Sequence, residues 1–428
     1  MTYHNAVKRL TSTPQGSDPR SAERVSLLCR ALSLPKKGTA VIRVLGSAGK
    51  SACATMLARA LFSRGYRVGA LTTPFSHTMT ECLSVNCEPV SMDLFTRHVS
   101  LVMETSNNVN RQLSSADNFT EEPDEGLSPF EKALIAYKKH GVPFSPFGDE
   151  LLLTAALSCF AEAGCHIVIM EIPNGERAGA YRLPVAPLLN VITGADNEQD
   201  AVDLCHYLDK RAKETVTSLQ SKETYRIISD SCAKINCRLS MPLRNSFYPA
   251  DFAANRMRFF YRNVERNLNS GAYYQALNML TVSEALEALK RQGVSADPLA
   301  CDFHPPVGNA GIELQFAFLS IRPTIITDFA DNNARLEAFA ASLAYQSALL
   351  GENIRIITEE NGINDQTMVD IFTKHDLQIK DITRTAVANS RKTLKPIVSF
   401  LSPENTVLIT GTRPFVYEIA RTVRSLME

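Results

Sequence analysis

Thr39-Ala40-Val41-Ile42-Arg43-Val44-Leu45-Gly46-Ser47-Ala48-Gly49-Lys50-Ser51 is the stretch that decides the fold. Residues 40–45 are a short apolar run of the kind that forms a buried strand, and the two glycines mark a tight turn. After the turn, Leu57 and Leu61, with alanines between them, recur at helical spacing as far as residue 63. Gly65 ends that helix, and residues 67–71 make a second apolar strand. Strand, helix and strand in this order form a βαβ unit, which implies a parallel sheet and a right-handed crossover.

The turn sits where a helix begins, so its backbone N–H groups and the positive end of the helix dipole face outward together and can bind an anion. Lys50 would reach the terminal phosphates of a nucleotide, and Ser51 offers a hydroxyl to Mg²⁺. The loop Gly46-Ser47-Ala48-Gly49-Lys50-Ser51 is shorter than the usual G-x-x-x-x-G-K-[ST], because Val44 stands where the first glycine would be. An ordinary βα turn also uses glycine for its backbone angles. The strand before it and the helix after it favour phosphate binding.

Outward from this unit the α/β pattern continues. A helix is expected from residue 91, then an acidic, poorly apolar segment at 117–126 that reads as a solvated insertion. A helix at 149–163, strands at 166–172 and 188–193, and a helix at 201–219 carry the parallel sheet to about residue 230. An amphipathic helix at 269–292 precedes the segment His304-Pro305-Pro306-Val307-Gly308, which reads as a hinge. Beyond it come strands at 324–328, 354–357 and 406–409, with helices from 332, at 368–374 and at the end of the chain. The expected architecture is an α/β protein with a parallel-sheet phosphate-loop domain over residues 1–305. A smaller, Rossmann-like α/β domain covers 306–428.

Composition narrows the partners. The 428 residues are enough for two to three domains at roughly 150 residues each, and 45% of them are apolar, as in an ordinary globular protein. Lys plus Arg and Asp plus Glu balance at 45 each, so the basic excess expected of a nucleic-acid binder is missing. The first ten residues, MTYHNAVKRL, lack the apolar core of a signal peptide, and nothing approaches the ~18 apolar residues needed to span a bilayer. A cytoplasmic monomer acting on small molecules, without nucleic acid or membrane, is the expectation. The ten cysteines, among them Cys29, Cys53, Cys159 and Cys165, show no C-x-x-C pair and read as reduced packing residues. His77, His166 and His206 lack metal-ligand spacing.

Several blocks resemble, in order, the folylpolyglutamate and dihydrofolate synthases of the Mur ligase superfamily. The phosphate loop is similar to that family's G-T-N-G-K-G-S. Gly65-Tyr66-Arg67-Val68-Gly69, Thr72-Thr73-Pro74 and Val85-Asn86-Cys87-Glu88-Pro89-Val90-Ser91 resemble its "GYRVG…TSPH…VNGEPIS". Met170-Glu171-Ile172 resembles "LEV", and Gly271-Ala272-Tyr273-Tyr274-Gln275 with Asn278 resembles "GxHQxxNA". Asp328-Phe329-Ala330-Asp331-Asn332 stands at "DGAHN", and Val407-Leu408-Ile409-Thr410-Gly411 at "LVTGS". The resemblance implies an ATP- and Mg²⁺-dependent ligase: ATP phosphorylates a folate-like carboxylate, and glutamate displaces the phosphate through its amine. It also implies that Lys50 holds the phosphates, Thr73, Glu171 and Asn197 ligate Mg²⁺, and Asn278 and Asp328 meet the base and ribose of an ATP lying between the domains.

The chain departs from the family pattern at positions that matter for catalysis. Asn197 replaces the family's metal-binding histidine, and Pro173-Asn174-Gly175-Glu176-Arg177 replaces its glycine-rich run. The glutamate of "TxFE" is missing near Phe147-Gly148, with Asp149 and Glu150 close by. The lysine that such ligases carbamoylate falls at Arg211, whose guanidinium stays protonated, with Lys210 and Lys213 on either side. The family's linker arginine has no counterpart at 305–313. Two readings follow: a ligase with altered catalytic positions, or a divergent, catalytically impaired paralogue that binds nucleotide or serves as a scaffold. A plain phosphate-loop ATPase or kinase would leave the Thr73, Glu171 and Asn278 blocks without a role. Capping remains the bland alternative for Asp328-Phe329-Ala330-Asp331-Asn332.

Overall fold

The computed structural model describes the chain apart from residues 17, 73–77, 116–125, 299–300, 302, 304–313, 352, 400–401, 403 and 428. Thr73, most of the acidic segment at 117–126, the hinge at 304–308 and the linker at 305–313 therefore lie outside the described residues. The rest falls into two compact units, Met1–Met241 with Ser283–Asp302, and Pro242–Val282 with Phe303–Glu428.

The first unit is built on eight strands: β1 (Ala40–Leu45), β2 (Val68–Leu71), β3 (Leu83–Val85), β4 (Glu88–Pro89), β5 (Ile167–Glu171), β6 (Leu189–Ile192), β7 (Glu214–Thr217) and β8 (Arg238–Ser240). Their order is β4-β3-β2-β5-β1-β6-β7-β8. Pairing is parallel from β2 through β5, β1, β6 and β7 to β8, and antiparallel where β3 and β4 extend the edge. The central strands β1 and β5 are apolar and buried along nearly their whole length, as helices on both faces of a parallel sheet require. Helix Lys50–Ser63 joins β1 to β2 and packs on β1, β2 and β5. The chain leaves β1 toward one side of the sheet and later returns to add β6 on the other. The carboxyl ends of β1, β5 and β6 thus flank the switch in strand order, where open α/β sheets bind ligands.

The expected helix at 201–219 is corrected by the structure. Helix Glu198–His206 stops early, and residues 214–217 form β7. All four residues of β7 are buried, yet three of them are Glu214, Thr215 and Thr217, so no apolar run announced the strand. The sheet also continues past residue 230 to β8, which pairs in parallel with β7.

The second unit carries a three-stranded antiparallel sheet that the sequence reading missed: β9 (Phe247–Ala253), β10 (Arg256–Tyr261) and β11 (Val264–Leu268), ordered β11-β10-β9. In β10, Met257, Phe259 and Tyr261 are buried and the residues between them are exposed, the period of two of a half-buried strand. The two-residue turn into β11 is Arg262-Asn263, both at positive φ (51° and 61°), which suits a tight hairpin. The unit's larger sheet contains β12 (Ala317–Ile321), β13 (Thr324–Asp328), β14 (Asn353–Glu359), β15 (Ile379–Thr385) and β16 (Asn405–Thr410) in the order β12-β13-β16-β14-β15. Only β12 runs antiparallel to its neighbour. Phe339, Phe372, Ile356 and Leu408 fill one side of this sheet, and Ile409, Val416 and Ile419 the other. The expected α/β class, with a second α/β domain, is what the structure has.

Candidate functional site

β1 ends at Leu45, and the chain turns through Gly46 at φ +136° and Gly49 at φ +82° before the helix starts at Lys50. Both angles are ones that side-chain-bearing residues rarely adopt. Gly46 is also a close approach: a Cβ there would lie 2.0 Å from Thr193 Oγ1. Thr193, at the end of β6, donates its hydroxyl toward Ala48 O (2.5 Å) and Leu45 O (3.1 Å), and Ser47 N–H donates to Gly194 O at 2.8 Å. These bonds fold the loop over the end of β6. Helix Lys50–Ser63 has no side-chain cap and no acidic residue in its first turn, which favours an anion in front of it.

Lys50 is buried, 9% exposed, and its ammonium lies across the loop, donating to Gly46 O at 2.5 Å and Asn174 Oδ1 at 2.6 Å. Glu171, the last residue of β5, pairs in register with Val44, so it stands beside the loop. Its Oε2 accepts from Ser51 Oγ at 2.8 Å, and the carboxylate is only 4% exposed. Lys50, Ser51 and Glu171 are thus brought together with Asn174, which the sequence presented only as a departure. Asp200 is a further member that motif reading missed: its Oδ2 accepts from Ser47 Oγ and from Asp196 N–H at 2.8 Å. A cavity of about 450 Å³, lined among others by Leu45, Ile172, Asn174, Asp200, His206 and Tyr207, opens beside these residues. Arg43, two residues before Leu45 on the same face of β1, is fully buried and donates to Tyr207 O at 2.7 Å; burial pushes its pKa down to about 10.

Other expected residues are engaged differently. Asn197, expected at the metal, is the exposed N-cap of helix Glu198–His206, its Oδ1 accepting from Asp200 N–H at 3.0 Å. Glu150 is fully buried and held by both Nε (2.9 Å) and Nη2 (2.7 Å) of Arg24, while Asp149 Oδ2 accepts from Gly16 N–H at 3.1 Å. Arg211 pairs with Asp209 (2.6 Å) and donates to Leu183 O at 2.8 Å. Among the described residues, no group of three or more His, Cys, Asp and Glu side chains stands so as to hold a metal ion. Among the described residues, likewise, no helix is long and apolar enough to cross a membrane.

In the second unit, Asp328 ends β13, 4% exposed. It accepts from Tyr274 OH at 2.9 Å and from Phe329 N–H at 2.7 Å. Burial pushes its carboxyl up to about 7 against these two hydrogen bonds, and burial together with the nearby carboxylate raises the Tyr274 phenol well above its ordinary value. Asn278 donates to Gln275 Oε1 and Gln275 to Gln315 Oε1, both at 3.1 Å. The block thus supplies two hydrogen-bonded groups, Tyr274 with Asp328 and Gln275 with Asn278 and Gln315. Asn332 caps helix Asn333–Ala344.

These features define a two-domain α/β protein with a phosphate-loop-type turn at the switch point of its first sheet. Its fold is that of the folylpolyglutamate synthases. The Lactobacillus casei enzyme superposes with a TM-score of 0.73 at 18% identity over 100% of both chains. The Mycobacterium tuberculosis folylpolyglutamate synthase complexed with ADP gives 0.69 at 14% identity, covering 99% of this chain and 98% of that one. In sequence, the chain is 23% identical over 173 residues to the dihydrofolate synthetase of Saccharomyces cerevisiae, a match covering 40% of this chain and 31% of that protein. No protein-family model matches the chain. The resemblance read from the sequence motifs thus recurs in both comparisons.

Proposed function

We propose that this chain is an ATP-dependent carboxylate–amine ligase of the folylpolyglutamate synthase type, adding glutamate to a folate-like acceptor, and that it works as a cytoplasmic monomer. The observation that carries the reading is the loop itself. Lys50 lies across Gly46 and against Asn174, in front of an uncapped helix start, with the Ser51–Glu171 pair 2.8 Å apart beside it. Similarity to a synthase complexed with ADP supports the nucleotide, and similarity to a dihydrofolate synthetase supports the acceptor class.

The substrate carboxylate attacks the γ-phosphorus of ATP, ADP leaves, and an acyl phosphate results. The glutamate nitrogen then attacks the acyl carbon, phosphate departs and the nitrogen loses a proton, leaving an amide. Lys50 and the helix-start N–H groups neutralise charge on the transferring phosphoryl group, a step that needs chiefly positioning and electrostatics. The hydroxyl and carboxylate of Ser51 and Glu171 are hard oxygens suited to Mg²⁺, and they would hold it. Mg²⁺, when bound, supplies further charge neutralisation at the phosphates. Asp328, Asn278 and Thr73 keep their proposed roles at the ribose, the base and the metal.

Specific contacts favour a second reading, a catalytically impaired paralogue. Glu150 is tied to Arg24, Asn197 is occupied as a cap, and Arg211 forms an ion pair where the family has a reactive lysine. Phosphate release from ATP in the presence of Mg²⁺ and glutamate, with dihydrofolate, tetrahydrofolate or neither, separates the two. Release that depends on a pterin is the expected result; ATP binding without turnover under every acceptor would favour the paralogue.

A further inference from the structure

Helix Lys222–Lys234 stops through a Schellman turn. Asn236 takes φ +54°, its N–H donates to Ala233 O at 3.1 Å, and the N–H of Cys237 reaches back to Cys232 O at 2.9 Å. This motif brings the side chains three residues before and two residues beyond the cap into contact, usually as a hydrophobic pair. Here the pair is Cys232 and Cys237, both buried. Thr215 Oγ1, on the neighbouring strand β7, lies 3.2 Å from Cys237 Sγ. Nothing in the ligase reading uses the two cysteines.

We propose that Cys232 and Cys237 are a dithiol poised to close into an intramolecular disulfide under hydrogen peroxide. The Cys237 thiolate attacks one peroxide oxygen; the O–O bond breaks, leaving a sulfenic acid on Cys237 and a hydroxide that takes up the Cys237 proton to become water. Cys232 sulfur then attacks the sulfenic sulfur; the S–S bond forms and the second oxygen leaves as water with the Cys232 proton. The dithiol gives up two electrons and the peroxide is reduced to two waters.

The helix stop sets Cys232 and Cys237 at the two positions that this turn brings side by side, so the backbone already holds them near each other, where two cysteines elsewhere would need it to shift. The surroundings assign the roles. The Thr215 hydroxyl beside Cys237 Sγ can donate to a thiolate there, which favours Cys237 as the attacking sulfur. Burial raises the thiol pKa of Cys29, Cys53, Cys159, Cys165 and Cys205, which slows their reaction with oxidants.

Trypsin reads the bond directly, because it cuts after Lys234 and separates the two cysteines into peptides 227–234 and 235–238. The full chain is reduced, desalted, exposed to a few equivalents of hydrogen peroxide, quenched in acid, alkylated, digested and analysed by mass spectrometry without reductant. The expected result is the linked pair 227–234/235–238, forming several-fold faster in the folded chain than in the urea-unfolded one. In Cys232→Ser the link should be lost and dimedone should label Cys237. Unlinked peptides after oxidation would overturn the proposal, as would a bond from Cys205 to either cysteine or a rate no faster than in urea. The wild-type map needs no variant, so a misfolded substitution does not decide the outcome.

Discussion

Replacing Asp328 by Asn should make stability depend less steeply on pH. In the folded chain the carboxyl is buried between Tyr274 and the Phe329 N–H, and its pKa stands near 7 against the ordinary 3.8. A carboxyl raised by folding binds its proton more tightly in the native state. Its stabilising contribution is complete below about pH 3.8 and is lost progressively until pH passes about 7. A shift of about three units at ~1.4 kcal/mol each sets an upper bound of about 4 kcal/mol, and relaxation with water entry reduces this to roughly 2 kcal/mol. The amide cannot ionise; its single oxygen serves only one of the two donors, which address different carboxylate oxygens, and that loss does not change with pH. The assay is urea unfolding of wild type and Asp328→Asn at about pH 5 and about pH 8, followed by circular dichroism. The Asp328→Asn variant should gain on wild type as pH rises. Stability differences that are equal at both pH values would refute the idea that a buried, proton-retaining carboxyl sits there.

Two further substitutions probe the first unit. Arg24→Ala leaves Glu150 buried without its cation and should cost about 3–5 kcal/mol, seen as a lower urea midpoint; a midpoint within error of wild type would mean that the pair is solvated. Gly46→Ala drives a methyl into Thr193 Oγ1 at a backbone angle that L-residues avoid. It should cost about 2–4 kcal/mol and weaken ATP binding together with the melting temperature, whereas unchanged melting would show that the loop is roomier than described.

How much was legible in the sequence differs by element. The βαβ unit around Gly46 was readable because its strands are largely apolar, glycines mark the turn, and Leu57 and Leu61 recur at helical spacing; β1 and helix Lys50–Ser63 end where expected. β13 and β16 were found for the same reason. β7 was read as helix because burial there is met by Glu214 and threonines, whose role emerges only from neighbours such as Arg291 and Ser240. In the candidate site, Lys50, Ser51 and Glu171 were named in advance because a motif carries them. Thr193, Asp200 and Asn174 were missed, since each is distant in sequence from the loop it touches and belongs to no short pattern. Asn197 and Glu150 show the converse: position within a block suggested chemistry, while their hydrogen bonds assign one to a helix cap and the other to a buried ion pair.

The central claim is that the turn from β1 into its helix grips a triphosphate through Lys50. Equilibrium binding of ATP with Mg²⁺, measured by titration calorimetry on wild type and on Lys50→Ala, tests it most directly. Loss of a charge-assisted contact of about 1.5–3 kcal/mol predicts a dissociation constant roughly 10- to 100-fold weaker in the variant. Equal affinities, or a wild-type chain that does not bind ATP, would contradict it.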